Sequence, residues 1–150
     1  MAVREILQTG NEVLRQISEP VTSFDINLAN LLKDMKDTLE EANGAGLAGV
    51  QIGVLKRVFI VSYEGELYEF INPKILGTSG SQYGAEGCLS VKGKWGDVKR
   101  PKKVTVEALD RYGKKFRIVC RDFFAKAVCH EYDHLDGILY TDKADNLREE

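Results

Sequence analysis

Apolar residues recur at helical spacing early in the chain. Leu28, Leu31, Leu32, Met35, Leu39 and Ala42 mark one face of a helix over 27–42, with charged residues opposite. Asp25 or Asn27 can cap its start and Gly44 closes it. Next come two strand-like runs, 57–61 and 67–71, joined by a turn at Glu64-Gly65. Residues 104–109 alternate as a strand should, and Asp110-Arg111-Tyr112-Gly113 turns into a partner over 115–119. A second helix is predicted over 121–135, with Asp122 near its start and Gly137 just past its end. Phe123, Ala127, His130 and His134 share one of its faces. A helix carrying polar chemistry on a core-facing stripe belongs inside the molecule, shielded by strands. The expected class is α+β: mostly antiparallel strands packed around this central helix, with an N-terminal helix before them. No repeat, low-complexity tract or linker interrupts 1–150, so one catalytic domain is expected.

Composition narrows the function classes. Hydrophobic residues make up 43% and charged residues 29%, as in ordinary globular domains, and the net charge of −2 leaves no electrostatic footprint for nucleic acid or an anionic membrane. The one basic run, Lys99-Arg100-Pro101-Lys102-Lys103, reads as a solvated turn entering a strand. The first seven residues lack the apolar stretch of a signal peptide, and no window approaches the length of a membrane span. Three cysteines, Cys88, Cys120 and Cys129, form no disulfide framework, which points to reduced thiols and a cytoplasmic location.

The chemistry concentrates in His130-Glu131-Tyr132-Asp133-His134, which holds both histidines of the chain. On a helix, residues four apart stack about 6 Å along the axis, so two imidazoles there can share one cation. Glu131, about 100° around, can reach a water at that cation as a base. A catalytic site of this kind takes three protein ligands, and with no further histidine the third is a cysteine or a carboxylate. Asp136, Asp142, Asp145, Glu149 and Glu150 lie downstream, in a tail expected to be loose. Upstream, Cys88 stands in Glu86-Gly87-Cys88-Leu89-Ser90, where the glycine permits close backbone approach and a metal favours the thiolate; this cysteine is the preferred candidate. Cys120 and Cys129 read as core. A Gly-rich stretch over 44–51 lacks the Lys-Ser/Thr of a phosphate loop. Its Gln51 could donate to an oxyanion, and its backbone could pair with an extended peptide.

These three segments, in this order, resemble the peptide deformylase family, which carries Gly-x-Gly-x-Ala-Ala-x-Gln, then Glu-Gly-Cys-Leu-Ser, then His-Glu-x-Asp-His-Leu-x-Gly. The second and third are matched in full by residues 86–90 and 130–137; the first departs at Gly49, where the missing methyl should loosen packing slightly. The resemblance implies removal of the formyl group from formyl-Met N-termini of nascent peptides. By position, Cys88, His130 and His134 would bind one divalent metal ion, Fe(II) first, with Zn, Ni or Co as alternatives. Glu131 would be the general acid/base, and Gln51 with the Leu89 N–H would stabilise the oxyanion. Ala45, Gly46 and Gly87 would meet the peptide backbone, while Phe123 and Ala127 would line a slot for the methionine side chain. Glu86 and Arg100 would form a supporting ion pair. The family also raises the ribosome as a partner, although the 16 residues after His134 leave no room for a long C-terminal helix. Lys92 stands where the family usually has proline, and Trp95 where some members place an arginine, which leaves sequence preference beyond the first residue open. Two other readings compete: a metallo-endopeptidase using a downstream carboxylate ligand, and a catalytically idle fold with a structural metal.

Overall fold

The computed structural model describes residues 2–149. Helix α1 spans Ile26–Ala42, and the Asp25 side chain accepts from the backbone N–H groups of Asn27 and Leu28 at 3.0 and 3.4 Å. At the other end Asn43, at φ 54°, takes the left-handed position expected of Gly44. Strands β1 Gly46–Ala48, β2 Val58–Tyr63, β3 Glu66–Ser79, β6 Lys103–Leu109 and β7 Lys115–Arg121 form an antiparallel sheet in the order β1-β2-β3-β6-β7. A second sheet orders β4 Gln82–Cys88, β5 Val91–Arg100 and β8 Asp145–Glu149 as β4-β5-β8. Helix α2 runs over Phe123–His134.

The unbroken apolar run in β2 has a structural reason: both faces of the large sheet are covered. Val58 and Ile60 join the α1 side with Leu28, Leu32, Met35 and Leu39, while Phe59 and Val61 join the α2 side with Phe124, Ala125 and Val128. Side chains alternate across a strand, so four consecutive buried residues need two partners. Each such side chain contributes about 1.5–3 kcal/mol on burial. Helix α2 also lies against β1 and β5, which puts it between the two sheets. The predicted α+β class with a central helix therefore describes the chain well.

Residues 82–100, which the pattern assigns to no element, form a long hairpin with a register shift between Glu86 and Cys88. Two expectations need correction. The basic run 99–103 is not a solvated turn throughout, because Arg100 is only 3% exposed. The tail after His134 is not loose. A short 3-10 turn, Tyr140–Asp142, packs Tyr140 into a small core with Val91, Val98 and Leu139, and β8 pairs with β5. Asp122 stands before α2 as expected, but its side chain makes no capping bond.

Gly137, at φ +74°, lies so close to the Arg15 carbonyl that a methyl group there would overlap it. Gly137→Ala therefore combines a strained backbone with a collision, and should cost about 2–3 kcal/mol. Urea unfolding of the metal-free variant beside the parent measures this; a midpoint unchanged within error would refute it.

Candidate metal centre

Cys88 ends β4, where the chain turns through Leu89 and Ser90 into β5. His130 and His134 project from α2 toward it, and the ligand atoms of all three side chains lie within 4.8 Å of one another. Cys88 Sγ is 3.4 Å from His134 Nε2, and the two imidazole centroids are 5.2 Å apart. Both histidines are buried and Cys88 is half-buried. The tail carboxylates do not join them. Asp142 pairs with Arg15, Asp136 with Arg57, and Asp145 and Glu149 lie on exposed β8; Glu150 lies outside the described residues.

His130 is aimed by a buried chain of charges. Its Nδ1 is 2.9 Å from Glu86 Oε1, Glu86 takes two bonds from Arg100 at 2.8 and 2.9 Å, and Arg100 also reaches Asp133 at 2.7 Å. Nδ1 donating to the carboxylate leaves Nε2 as the lone-pair donor for a cation. Tyr140 stacks on the other side, ring centroids 5.9 Å apart. Burial works against ionising Glu86, but the hydrogen bonds from Arg100 and His130 win and hold its carboxyl at about 2. The expected Glu86–Arg100 ion pair is present and buried.

Glu131 is buried, and burial pushes its carboxyl up to about 7. Its Oε1 and His134 Nδ1 are buried without a hydrogen-bond partner among the described residues. A Cβ on Gly46 would come 2.7 Å from Glu131 Oε2, so glycine there makes room for the carboxylate. Burial disfavours charge on both imidazoles. The Cys88, Glu86 and Glu131 side chains still draw a proton onto His130, while burial and that neighbour hold His134 well below its ordinary value. Two buried imidazoles and a half-buried thiol that together attract positive charge, with an orphaned carboxylate oxygen alongside, fit a divalent ion.

Gln51 lies on the 3-10 turn Gly49–Ile52 and is 1% exposed. Its Oε1 accepts from the Ala48 N–H at 2.9 Å, which fixes the amide so that Nε2 faces Ser90 Oγ at 3.0 Å and Cys88 Sγ at 3.7 Å. Sequence reasoning missed three supports of this corner. Ser90, fully buried, gives its N–H to Cys88 Sγ at 3.4 Å. Gln8 donates to the Leu89 carbonyl, and the Leu7 and Thr9 N–H groups bond to Gln51 and Ser90 carbonyls. Tyr140 stacks on His130. Only Ser90 carried a signal, its place in the cysteine motif; the N-terminal segment and Tyr140 act through contacts distant in sequence.

A cavity of about 420 Å³ opens onto the cluster. Ala45, Gly46, Gln51, Gly87, Cys88, Leu89, Phe123, Ala127, His130 and Glu131 all line it, whereas His134 sits behind. Phe123 is at the mouth, 49% exposed and stacked on Tyr63, not in the core. The stretch 44–51 is not merely a turn, since β1 pairs with β2 on one side and is an edge strand on the other. Gly49 leaves no slack: a methyl group would meet the Val54 carbonyl at 3.0 Å, so the expected loosening does not occur.

With this geometry in hand, the likenesses to known proteins are specific. The family pattern described as Polypeptide deformylase matches residues 3–150. A peptide deformylase of Caldicellulosiruptor bescii is 51% identical over 143 residues, covering 95% of this chain and 86% of that protein. One from Acetivibrio thermocellus is 50% identical over 143 residues, covering 95% and 84%. Among solved structures, a peptide deformylase from Legionella pneumophila superposes with a TM-score of 0.93 at 42% identity, covering 96% of this chain and 87% of that one.

Two outcomes follow from the electrostatics. Glu86 ionises far below its ordinary 4.5, so its contribution to stability is whole above about pH 4.5 and is lost as pH falls through about 2. The stability gap between the parent and Glu86→Gln should therefore narrow between those values in urea titrations; a constant gap would contradict it. Burial raises the Cys120 and Cys129 thiols to about 12 and 11. Iodoacetamide at pH 8 should label Cys88 alone in folded, metal-stripped protein, and added Co(II) should protect it. Mass mapping that found Cys120 or Cys129 modified at a similar rate would overturn that.

Proposed function

The chain belongs to the polypeptide deformylase family, and from that membership we propose how its residues divide the work of the reaction. It is a hydrolase that removes the N-formyl group from N-formylmethionyl nascent peptides and releases formate. The convergence of one thiol and two imidazoles beside an orphaned buried carboxylate carries the assignment. Cys88, His130 and His134 hold the ion, and Glu86 with Arg100 orients His130. The ion, when bound, supplies Lewis acidity and lowers the pKa of a water.

Glu131 takes the proton from the attacking water and then delivers it to the departing amide nitrogen. A buried carboxylate beside the ligands, with Oε1 uncommitted to any hydrogen bond among the described residues, is placed for both transfers. Gln51 Nε2 and the Leu89 N–H receive the charge that develops on the formyl oxygen. Ala45 and the open edge of β1 at Gly46 pair with the peptide backbone, and Gly87 faces them from β4. Ala127 and Phe123 flank the methionine side chain. The formyl group is the smallest acyl group, so a narrow approach at Gly46 rejects internal amides.

The donor set with a thiolate suits a softer or redox-active ion, and we assign Fe(II) as the native one, with Zn, Ni or Co as substitutes. The domain over 1–150 acts in the cytoplasm, where formylated chains emerge, and the ribosome is the partner it meets there; no described helix is long and apolar enough to cross a membrane.

Glu131→Ala should keep its metal and lose about 10²- to 10⁴-fold in formate release from formyl-Met-Ala. Cys88→Ala should lose the metal itself, read by elemental analysis after anaerobic purification. A Cys88→Ala protein with full metal content would favour an endopeptidase with a carboxylate ligand, and an unimpaired Glu131→Ala would refute the proton-transfer role.

A further inference from the structure

The floor of the cavity is neutral or committed to chemistry, but its mouth is not. Lys92, Lys94 and Lys126 line it, and among the described residues the only carboxylates in the lining are Glu86 and Glu131, both buried in the site. Lys92 and Lys94 are exposed on β5 and form no ion pair among the described residues; Glu149, the cross-strand neighbour of Lys94, does not reach it. Lys126 is fixed one turn before His130, its Nζ donating to the Ala85 carbonyl at 2.6 Å. The carboxylate whose field Lys126 feels, Asp97, is already held by Asn146 and Arg148. The rim thus carries three positive charges, and no exposed carboxylate lines the opening among the described residues.

Trp95 sets where a substrate can leave the cavity. Its ring lies against Gly87, so close that a Cβ there would come 3.0 Å from the indole Cζ3, and it remains 38% exposed. The indole walls the β4 side of the groove. A peptide anchored by its first residue near Cys88 and running along the edge of β1 advances about 3.3–3.4 Å per residue, with side chains alternating in direction. Its second and third residues therefore pass the part of the rim that Trp95 and the lysines line.

We propose that Lys92, Lys94 and Lys126 select formylated peptides bearing an acidic side chain at the second or third position. This rests on the deformylase reading of the cavity. The attraction acts on binding and encounter, so it enters kcat/KM and weakens with salt, whereas kcat at saturation is little affected.

The test compares formyl-Met-Asp-Ala, formyl-Met-Ala-Asp and their Lys and Ala counterparts, all amidated at the C-terminus, on the metal-loaded enzyme. At low ionic strength kcat/KM should favour the acidic peptide over the lysine peptide by about five- to tenfold at one position or both, shrinking to about twofold or less in 0.5 M salt. Lys92→Glu with Lys94→Glu, both on exposed sites, should reverse the order while formyl-Met-Ala-Ala turns over as before. Equal kcat/KM for acidic and basic peptides, or an order unchanged in the double variant, overturns the rim assignment and leaves the deformylase reading intact. No formate from any formylated peptide would overturn both.

Discussion

The buried chain His130–Glu86–Arg100–Asp133 is the interaction on which the site depends. It links two elements that nothing local would bring together, the β4–β5 hairpin and α2. The Glu86 and Arg100 side chains are each 3% exposed. Removing charges this completely from water costs several kcal/mol per ion, recovered only because Arg100 makes three short bonds and Glu86 accepts three. Such a pair adds little net stability compared with apolar packing. Its effect is geometric: losing either member would leave the other charge buried and unpaired, so the hairpin cannot slide along the helix. Cys88, two residues beyond Glu86 on the same strand, is positioned by that fixed register.

A second constraint acts on α2 itself. Its 12 residues must bury Phe124, Ala125 and Val128 against the large sheet and still present His130 and His134 to the hairpin. The two faces are served by different residues of one short helix, so neither can rotate without breaking the other. The same logic explains the cost of placing Glu131 against β1: the strand concedes a side chain at Gly46 so that a carboxylate can fill the space. Cys129, next to His130 and pointing to the sheet side, is unavailable as a ligand although it is the cysteine closest in sequence to the histidines.

Much of this was legible before the structure, because the informative signals were local. The period of α1, the Glu64-Gly65 hairpin turn and the two histidines four apart all state their geometry within a few residues. The candidate third ligand was less accessible. Choosing Cys88 over the tail carboxylates from the residues alone relied on a lone glycine-flanked cysteine, and the decisive fact, a strand register, is a long-range property. The same limitation hid Arg100, whose place in a run of lysines looks like a surface turn until its alternation with the β5 neighbours puts it inward. The tail was misread for a related reason: β8 has five exposed residues and no apolar alternation, and forms only because the β5 edge is there to receive it. The Gly49 departure was misjudged because the backbone carbonyls that occupy the missing methyl's space come from residues 54–58.

Burial divides the active region into two kinds of chemistry. Glu86, His130, Glu131 and His134 are buried, and their charge states respond strongly to one another because little solvent screens them. Groups at the mouth are solvated and adjust individually, at a cost of tenths of a kcal/mol where the interior would cost several. Lys92 and Trp95, which depart from the usual pattern, fall in the second zone, whereas the matched motif residues Glu86, Glu131 and His134 fall in the first and half-buried Cys88 stands at the border. Differences in the chain can thus accumulate at the rim, and alter which peptides are accepted, without disturbing the register that holds the sulfur and the two rings together.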